Sequence, residues 1–330
     1  MTPLVSVLMA SFNDEKYIKK AINSILSQTI CDFEFIIIDD CSTDNTVNII
    51  KSFTDSRITL YQNTENMGLG YNLHIGINMA KGKYIARMDA DDISLPNRFE
   101  KQVAYLEAHQ DVLCLGTSYR FIGDLGIRQK YLKNYIYQEE NPEMLKAQCL
   151  IGTPLLHPSV MFNAKQMRRN NINYDPTFRK AQDYELWSRV IWGNLITNLP
   201  DALMFYRCSL QQASVAGRSS QIENSRKIYE RMLTCILGRL PSEKELRAHI
   251  LFSTQSCQSK QELELTLGWI KQLYIAVVKN KIIDRVALEK VLSKRWSVIC
   301  RCSCSIFTKL PEYNNLGFPT SWNNYIRLFV

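Results

Sequence analysis

The sequence predicts an α/β fold: a mostly parallel sheet flanked by helices, followed by a helical C-terminal region. Two patterns carry the first part. Apolar strand runs alternate with amphipathic helical stretches through residues 1–120, and acids recur where those strands stop. After residue 215 the strand pattern disappears, helical spacing takes over and the charge turns basic, which sets the second part apart.

Taken in order, residues 5–11 read as a buried strand. Asn13 is a good helix N-cap with Asp14 and Glu15 in the first turn, and Tyr17, Ile18, Ala21, Ile22, Ile25 and Leu26 recur at helical spacing. Residues 33–38 form a second strand ending in Asp39-Asp40. The turn chemistry of Cys41-Ser-Thr-Asp-Asn-Thr then opens a helix with Val47, Ile50 and Phe53 inward. Residues 58–61 are a third strand, 63–70 a Gly/Asn loop, and 71–80 a third helix stopped by Gly82. The fourth strand starts near Lys83 and runs into Asp89-Ala90-Asp91-Asp92, after which Ile-Ser-Leu-Pro breaks it into a loop. Pro96 opens a helix with Phe99, Val103 and Leu106 on one face. A strand over 112–117, a hairpin over 119–137 and a helix over 139–147 follow.

Hydrophobic content of 46% and charged content of 22% over 330 residues are ordinary for a globular chain with a sizeable core. No basic start precedes the apolar run of residues 1–10, and no run of eighteen apolar residues exists. With no export signal, the ten scattered cysteines read as reduced thiols of a cytoplasmic protein. Residues 1–214 hold 22 basic and 23 acidic residues, while 215–330 hold 18 and 9, so the basic excess belongs to the C-terminal third. That excess points to an anionic surface. A membrane, at the inner face of the plasma membrane, is the partner expected for 215–330, with nucleic acid set aside. A solvated basic face is the alternative.

The chemistry is expected at the carboxyl ends of the strands, where parallel sheets bind ligands. Three of those ends carry Ser11-Phe12-Asn13, Asp39-Asp40 and Asp89-Ala90-Asp91. Asp89 and Asp91 sit two apart, so in extended backbone they point to one side and repel unless a cation lies between them. All-oxygen ligation suits a hard divalent ion, Mn²⁺ or Mg²⁺. A solvated acidic turn is the plainer reading of Asp-x-Asp alone. The chain offers neither a Gly-x-Gly-x-x-Gly nor a Gly-Lys-Ser phosphate loop, which argues against a dehydrogenase and a P-loop enzyme.

Read together, these segments resemble the nucleotide-sugar half of a family 2 glycosyltransferase with the GT-A fold. The likeness covers residues 4–120. It rests on Val5-Ser-Val-Leu-Met-Ala-Ser-Phe-Asn, Glu15-Lys-Tyr-Ile, Ser24-Ile-Leu-Ser-Gln-Thr, Asp39-Asp-Cys-Ser-Thr-Asp, Asn63-Thr-Glu-Asn-Met-Gly-Leu-Gly and Ala86-Arg-Met-Asp-Ala-Asp-Asp. The resemblance implies a GT-A domain over 1–214, with its donor half at 1–120 and its acceptor half at 121–214, and a separate region over 215–330. It implies donor contacts from Ala10, Ser11, Phe12, Asn13, Glu15, Asp40, Asn66, Gly68, Asp89 and Ala90, with Asp40 near a uracil-type edge. Asp91, with Asp89, would ligate the metal. Cys41 stands where the family usually has Gly, and His74 where Asn is frequent.

A second stretch joins Thr153-Pro-Leu-Leu-His157 to Gln182-Asp183-Tyr-Glu-Leu-Trp187, where a helix begins with Leu186, Val190 and Ile191 facing the core. Asp183 at the helix start reads as a cap. It also resembles the acid of the family's acidic-pair-plus-tryptophan segment, and the resemblance makes it the catalytic base, with Gln182 in place of the usual Glu. His157, Gln182 and Trp187 are candidate acceptor contacts, although a lone His before Pro and a Trp at core spacing are more often structural. The implied reaction is inverting, metal-assisted transfer of a sugar, from UDP-sugar by preference, to a glycan or lipid-linked acceptor of bacterial O-antigen or capsule type. Rival readings are a silent nucleotide-sugar binder and a sugar-nucleotide pyrophosphorylase. The latter would want a basic Gly-rich signature that residues 9–20 lack.

In the C-terminal third, Ile228, Met232, Ile236 and Leu237 mark one helix, and Leu263, Leu265, Leu267, Ile270, Leu273 and Ile275 another. Trp296, Ile299, Ile306 and Phe307 interleave with basic residues, which suits an anionic membrane surface if they are exposed. Cys300-Arg-Cys-Ser-Cys304 alternates and has no His nearby, so it does not match zinc-ligand spacing.

Overall fold

The computed structural model describes residues 2–123, 135–208 and 218–302. The described residues fall into two compact units, those within 1–142 and 155–224 and those within 143–154 and 225–302. The first is built on one sheet. Strands β1 (Val5–Ser11), β2 (Phe33–Asp39), β3 (Ile58–Gln62) and β4 (Tyr84–Asp89) run parallel in the order β3-β2-β1-β4. Each of β1, β2 and β4 is buried on both faces, so each reads as a continuous apolar run instead of an alternating one. The sheet continues through β8 (Met161–Asn163), antiparallel to β4, then β6 (Val112–Ile122) and β9 (Leu195–Arg207), with β5 (Ile93–Ser94) at the end. Strand β7 (Tyr135–Ile136) pairs antiparallel with β6, as the hairpin expected over 119–137 requires, while the turn of that hairpin lies outside the described residues.

Helices α1 (Ile18–Leu26), α2 (Thr46–Lys51), α3 (Leu69–Met79) and α4 (Arg98–Ala108) connect the early strands. Ile18, Ala21, Ile22 and Ile25 of α1 pack with Val5, Val7, Met9, Phe35, Met88 and Phe99 in one core. Two expectations fail here. Asn13 is not a helix cap, because it takes φ +56 and α1 begins only at Ile18, after a turn in which Asp14 O accepts from Tyr17 N and Ile18 N at 2.9 Å. The segment after Asp89 is not a plain loop either. Ala90 and Asp91 form a turn, and β5 follows and pairs with β9. The first unit is completed by α6 (Ala164–Arg169) and α7 (Gln182–Val190).

The second unit is helical, as its spacing predicts. It contains α5 (Pro142–Cys149) from residue 143, α8 (Arg218–Leu237) from residue 225, α9 (Glu243–Thr254), α10 (Lys260–Lys279) and α11 (Arg285–Cys302). Ser242 and Glu245 form a reciprocal capping box at the start of α9, and Ser259 accepts Glu262 N at 3.2 Å at the start of α10. His249 joins two segments of this unit: its Nε2 donates to Leu150 O at 2.8 Å, and its Nδ1 accepts from Trp269 Nε1 at 3.1 Å. Trp296 and Ile299 are fully buried, which removes them from any membrane-facing aromatic surface; Ile306 and Phe307 lie outside the described residues. Cys31, Cys41, Cys114, Cys149, Cys208, Cys235, Cys257 and Cys300 form no disulfide, and Cys304 lies outside the described residues. Among the described residues no helix is long and apolar enough to cross a membrane.

Candidate active site

Register sets the acids side by side. Ser11 at the end of β1 pairs with Asp39 on β2, and Ala10 pairs with Asp89 on β4. Three strand ends therefore meet at one edge, where the loops that follow can close over a ligand.

The loop after β1 places Phe12 outward, 46% exposed, and Asp14 inward. Asp14 Oδ2 accepts from Ser11 Oγ and Phe12 N, both at 3.0 Å. Burial pushes its carboxyl up to about 6 against those two hydrogen bonds, and the charges of Asp89 and Asp44 add to the rise. Asn13 and Glu15 tie this loop to the one after β2. Asn13 N donates to Ser42 Oγ at 2.9 Å, Asn13 Oδ1 accepts Thr43 N at 2.8 Å, and Glu15 Oε2 accepts Asn45 N at 3.0 Å.

Asp40 is buried and internally bonded. Its Oδ1 accepts from Asn63 Nδ2 and Met67 N, and its Oδ2 from Gly68 N, all at 2.8 Å. Asn66 Nδ2 adds a bond to Asp40 O at 3.4 Å. Gly68 adopts φ +87 ahead of α3, a conformation open to glycine without strain. Asp40 thus shapes the 63–68 loop. Asp39 beside it spends Oδ2 on Ser42 N at 3.0 Å and leaves Oδ1 buried with no protein partner.

The strongest charge concentration lies after β4. Asp89, Asp91 and Asp92 each offer an oxygen within 4.8 Å of the others. The turn at Ala90 brings them together, not the extended backbone expected from their spacing. Asp89 is ion-paired with Arg87, whose side chain is almost fully buried with Nε and Nη1 lacking protein partners. Burial, then the charges of Asp89 and Asp14, push Asp91 up to about 7, while Arg207 pulls it back. Asp92 is raised well above the usual carboxylate range by burial, then by Asp89 and Asp91. Its Oδ1 accepts Arg207 N at 2.7 Å, and its Oδ2 has no protein partner. Arg207 also donates from Nε to Asp91 O at 2.7 Å and stacks over Tyr17 at 4.1 Å. Three clustered carboxylates, one with an orphaned buried oxygen, fit a hard divalent cation.

Asp183 is the second residue of α7, preceded by Ala181 at φ +58. Burial raises its carboxyl, and the backbone N–H of Tyr184, Arg87's charge and its own N–H pull it back. His157 and Trp187 are not open to an acceptor. Trp187 has no exposed surface and stacks on Phe162 at 5.8 Å, with His157 edge-on at 6.4 Å. His157 bonds Tyr174 Oη through Nε2 at 2.7 Å, and burial keeps it neutral by lowering its pKa far below the usual value. Gln182 is buried at the helix start. His157 and Trp187 are taken up by aromatic packing with Tyr174 and Phe162.

A model of the Glycosyl transferase family 2 domain matches residues 6–168. An uncharacterized glycosyltransferase of Haemophilus influenzae is 33% identical over 248 residues, covering 72% of this chain and 76% of that protein. The chain belongs to glycosyl transferase family 2. It is a glycosyltransferase. The Escherichia coli O-antigen biosynthesis glycosyltransferase WbnJ is 34% identical, over 64% of this chain and 84% of its own. Another E. coli relative, the UDP-Glc:alpha-D-GlcNAc-diphosphoundecaprenol beta-1,3-glucosyltransferase WfgD, is 29% identical over 65% of this chain and 80% of its own. S. aureus TarS in complex with UDP-GlcNAc superposes with TM-score 0.60 at 20% identity, over 92% of this chain and 88% of that one, which shows the shared fold.

Asp14 and Asp92 are visible in the sequence as acids without a site role, whereas Arg87 and Arg207 are given none of the candidate roles. A lone charge inside the apolar strand Tyr84–Asp89 was a usable signal for Arg87. Nothing local marks Arg207, which arrives from β9 more than a hundred residues after Asp91.

Proposed function

We propose that this family 2 enzyme moves a sugar from a UDP-sugar to a hydroxyl of a glycan or lipid-linked oligosaccharide, with inversion, in O-antigen or capsule synthesis. The observation that carries the reading is a single buried guanidinium, Arg87, whose charge acts on both the Asp89–Asp91–Asp92 cluster and Asp183. This supports a reading in which donor-side and base-side carboxylates act in one site. WfgD's name, with its UDP-glucose donor and diphosphoundecaprenol acceptor, and WbnJ's O-antigen role support the substrate class.

In this reading Ala10, Ser11, Phe12, Asn13, Glu15, Asp40, Asn66, Gly68, Asp89 and Ala90 surround the donor, with Phe12 offering an exposed ring to the base. Asp91 with Asp89 would hold Mn²⁺ or Mg²⁺, which would supply positive charge against the diphosphate. Asp183 accepts the acceptor's hydroxyl proton as that oxygen bonds to the anomeric carbon and the bond to the diphosphate breaks, releasing UDP. One carboxylate and no covalent nucleophile give a single displacement, hence inversion, by the geometric logic of inverting glycosidases. The basic excess of residues 215–330 supports contact with an anionic membrane surface at the cytoplasmic side, where a lipid-linked acceptor resides.

The test is nucleotide release from UDP-, GDP- and dTDP-sugars with Mn²⁺, for the wild type and Asp91→Ala. Metal-dependent turnover of a UDP-sugar, lost in the variant, is expected. Turnover of only a GDP- or dTDP-sugar would overturn the donor assignment.

A further inference from the structure

One face of α3 carries residues four apart that all meet the same stretch of chain. Asn78 Oδ1 accepts from Asn173 Nδ2 at 2.9 Å, and His74 O accepts from that amide at 3.3 Å. His74 Nδ1 donates to Tyr174 O at 2.8 Å. Four residues earlier, a Cβ on Gly70 would lie 2.4 Å from Phe178 O and 3.3 Å from Asp175 O, so two backbones touch where no side chain fits. Four residues earlier again, Arg179 Nη2 donates to Asn66 O at 2.5 Å, and Arg179 Cγ lies 3.3 Å from where a Cβ on Gly68 would be. Residues 173–179 are a strap laid along α3 from its C-terminal turn to its N-terminal loop.

The two ends of this strap lead to the two sides of the reaction. The loop it grips at Asn66 and Gly68 is the loop that Asp40 holds through Met67 N and Gly68 N. Beyond Arg179 the chain passes through Lys180 and the left-handed Ala181 and reaches Asp183 as the second residue of α7. Only three residues separate the anchor on the donor loop from the base. Such a short tether leaves little freedom between them.

We propose that the strap positions Asp183 in response to the donor, with Gly70 and Arg179 as its fastening points. This rests on the donor and base assignments above. A nucleotide engaging the 63–70 loop steadies the strap and, through it, the start of α7. Arg179 is a positioning residue, acting on Asp183 through the chain.

Hydrogen exchange of the full-length protein tests this, with and without UDP and Mn²⁺. Gly70→Ala leaves α3 itself intact, because alanine is the better helix former by about 1 kcal/mol. Its effect therefore reports the strap contact. Without ligand, Gly70→Ala should speed exchange of residues 174–184 about ten-fold and leave β1 and β4 unchanged. UDP should protect both 63–70 and 174–184 in the wild type. In Arg179→Ala it should protect 63–70 alone, and Arg179→Lys, which can still donate to Asn66 O, should restore the second protection. A strap that merely packs would leave UDP protection of 174–184 at its wild-type size in Arg179→Ala, and that result overturns the proposal, as does unchanged exchange in unliganded Gly70→Ala. Failure of UDP to protect 63–70 in the wild type overturns the coupling together with the uridine reading. It is told apart from a failed strap by the unliganded comparison, which needs no nucleotide.

Discussion

Asp40 accepts the backbone N–H of Gly68 through Oδ2 at 2.8 Å, while its Oδ1 holds Met67 N and the Asn63 amide. A carboxylate at a strand end is thus spent on building the loop that borders the donor. Replacing it by Asn keeps one acceptor oxygen and turns an N–H toward a donor. Asp40→Asn should lose about 2 kcal/mol of stability and bind UDP at least about ten-fold more weakly. Thermal unfolding and calorimetry read the two effects. An unchanged melting temperature would show that the loop does not depend on Asp40.

Asp183→Asn should bind UDP within about two-fold of the wild type and lose transfer by about 10² to 10⁴. The wild-type rate should also fall as pH drops, because a base must be ionised to act. Burial raises the Asp183 carboxyl, so the acid limb should lie above the ordinary aspartate value of about 4. A limb at the ordinary value would argue that another group takes the proton.

Asp91 sits in a crowd of like charges, with burial and the charges of Asp89 and Asp14 all disfavouring its ionised form. Asp91→Asn should raise the stability of the metal-free protein by about 1 kcal/mol while abolishing metal-dependent turnover. Mn²⁺ should raise the melting temperature of the wild type and leave that of the variant unmoved. Equal metal stabilisation of both proteins would place the ion elsewhere.

Cys41 adopts φ +65, the left-handed region, and its Sγ reaches only Thr64 O at 3.6 Å. Glycine relieves that strain, which explains why the departure from the family's usual residue has a physical consequence. Cys41→Gly should gain up to about 1 kcal/mol, read as a higher midpoint in urea unfolding with an unchanged slope.

Much of the first unit is legible in the sequence alone. Strands β1 to β4, the helices between them and the acids at their ends follow from apolar runs and turn residues that act within a few positions of one another. The failures share a cause. Asn13 looks like a cap, but the β2 loop offers it Ser42 and Thr43, and it takes a left-handed conformation instead. Trp187 and His157 are candidate acceptor contacts with a structural role as the commoner reading, and stacking on Phe162 and the bond to Tyr174 favour the structural role. Trp296 looks like a membrane anchor until its helix packs it inward. In each case a partner distant in sequence decided the outcome.

The sequence by itself determined the fold class, the order of the strands' acidic ends and the family, because those rest on periodicity and on the order of short motifs. Tertiary structure alone decided which acids crowd together, that Arg87 and Arg207 stand among them, and that residues 173–179 lie along α3. The reason is physical: local sequence sets which way a chain can turn, whereas burial, charge crowding and backbone contact depend on what arrives from elsewhere.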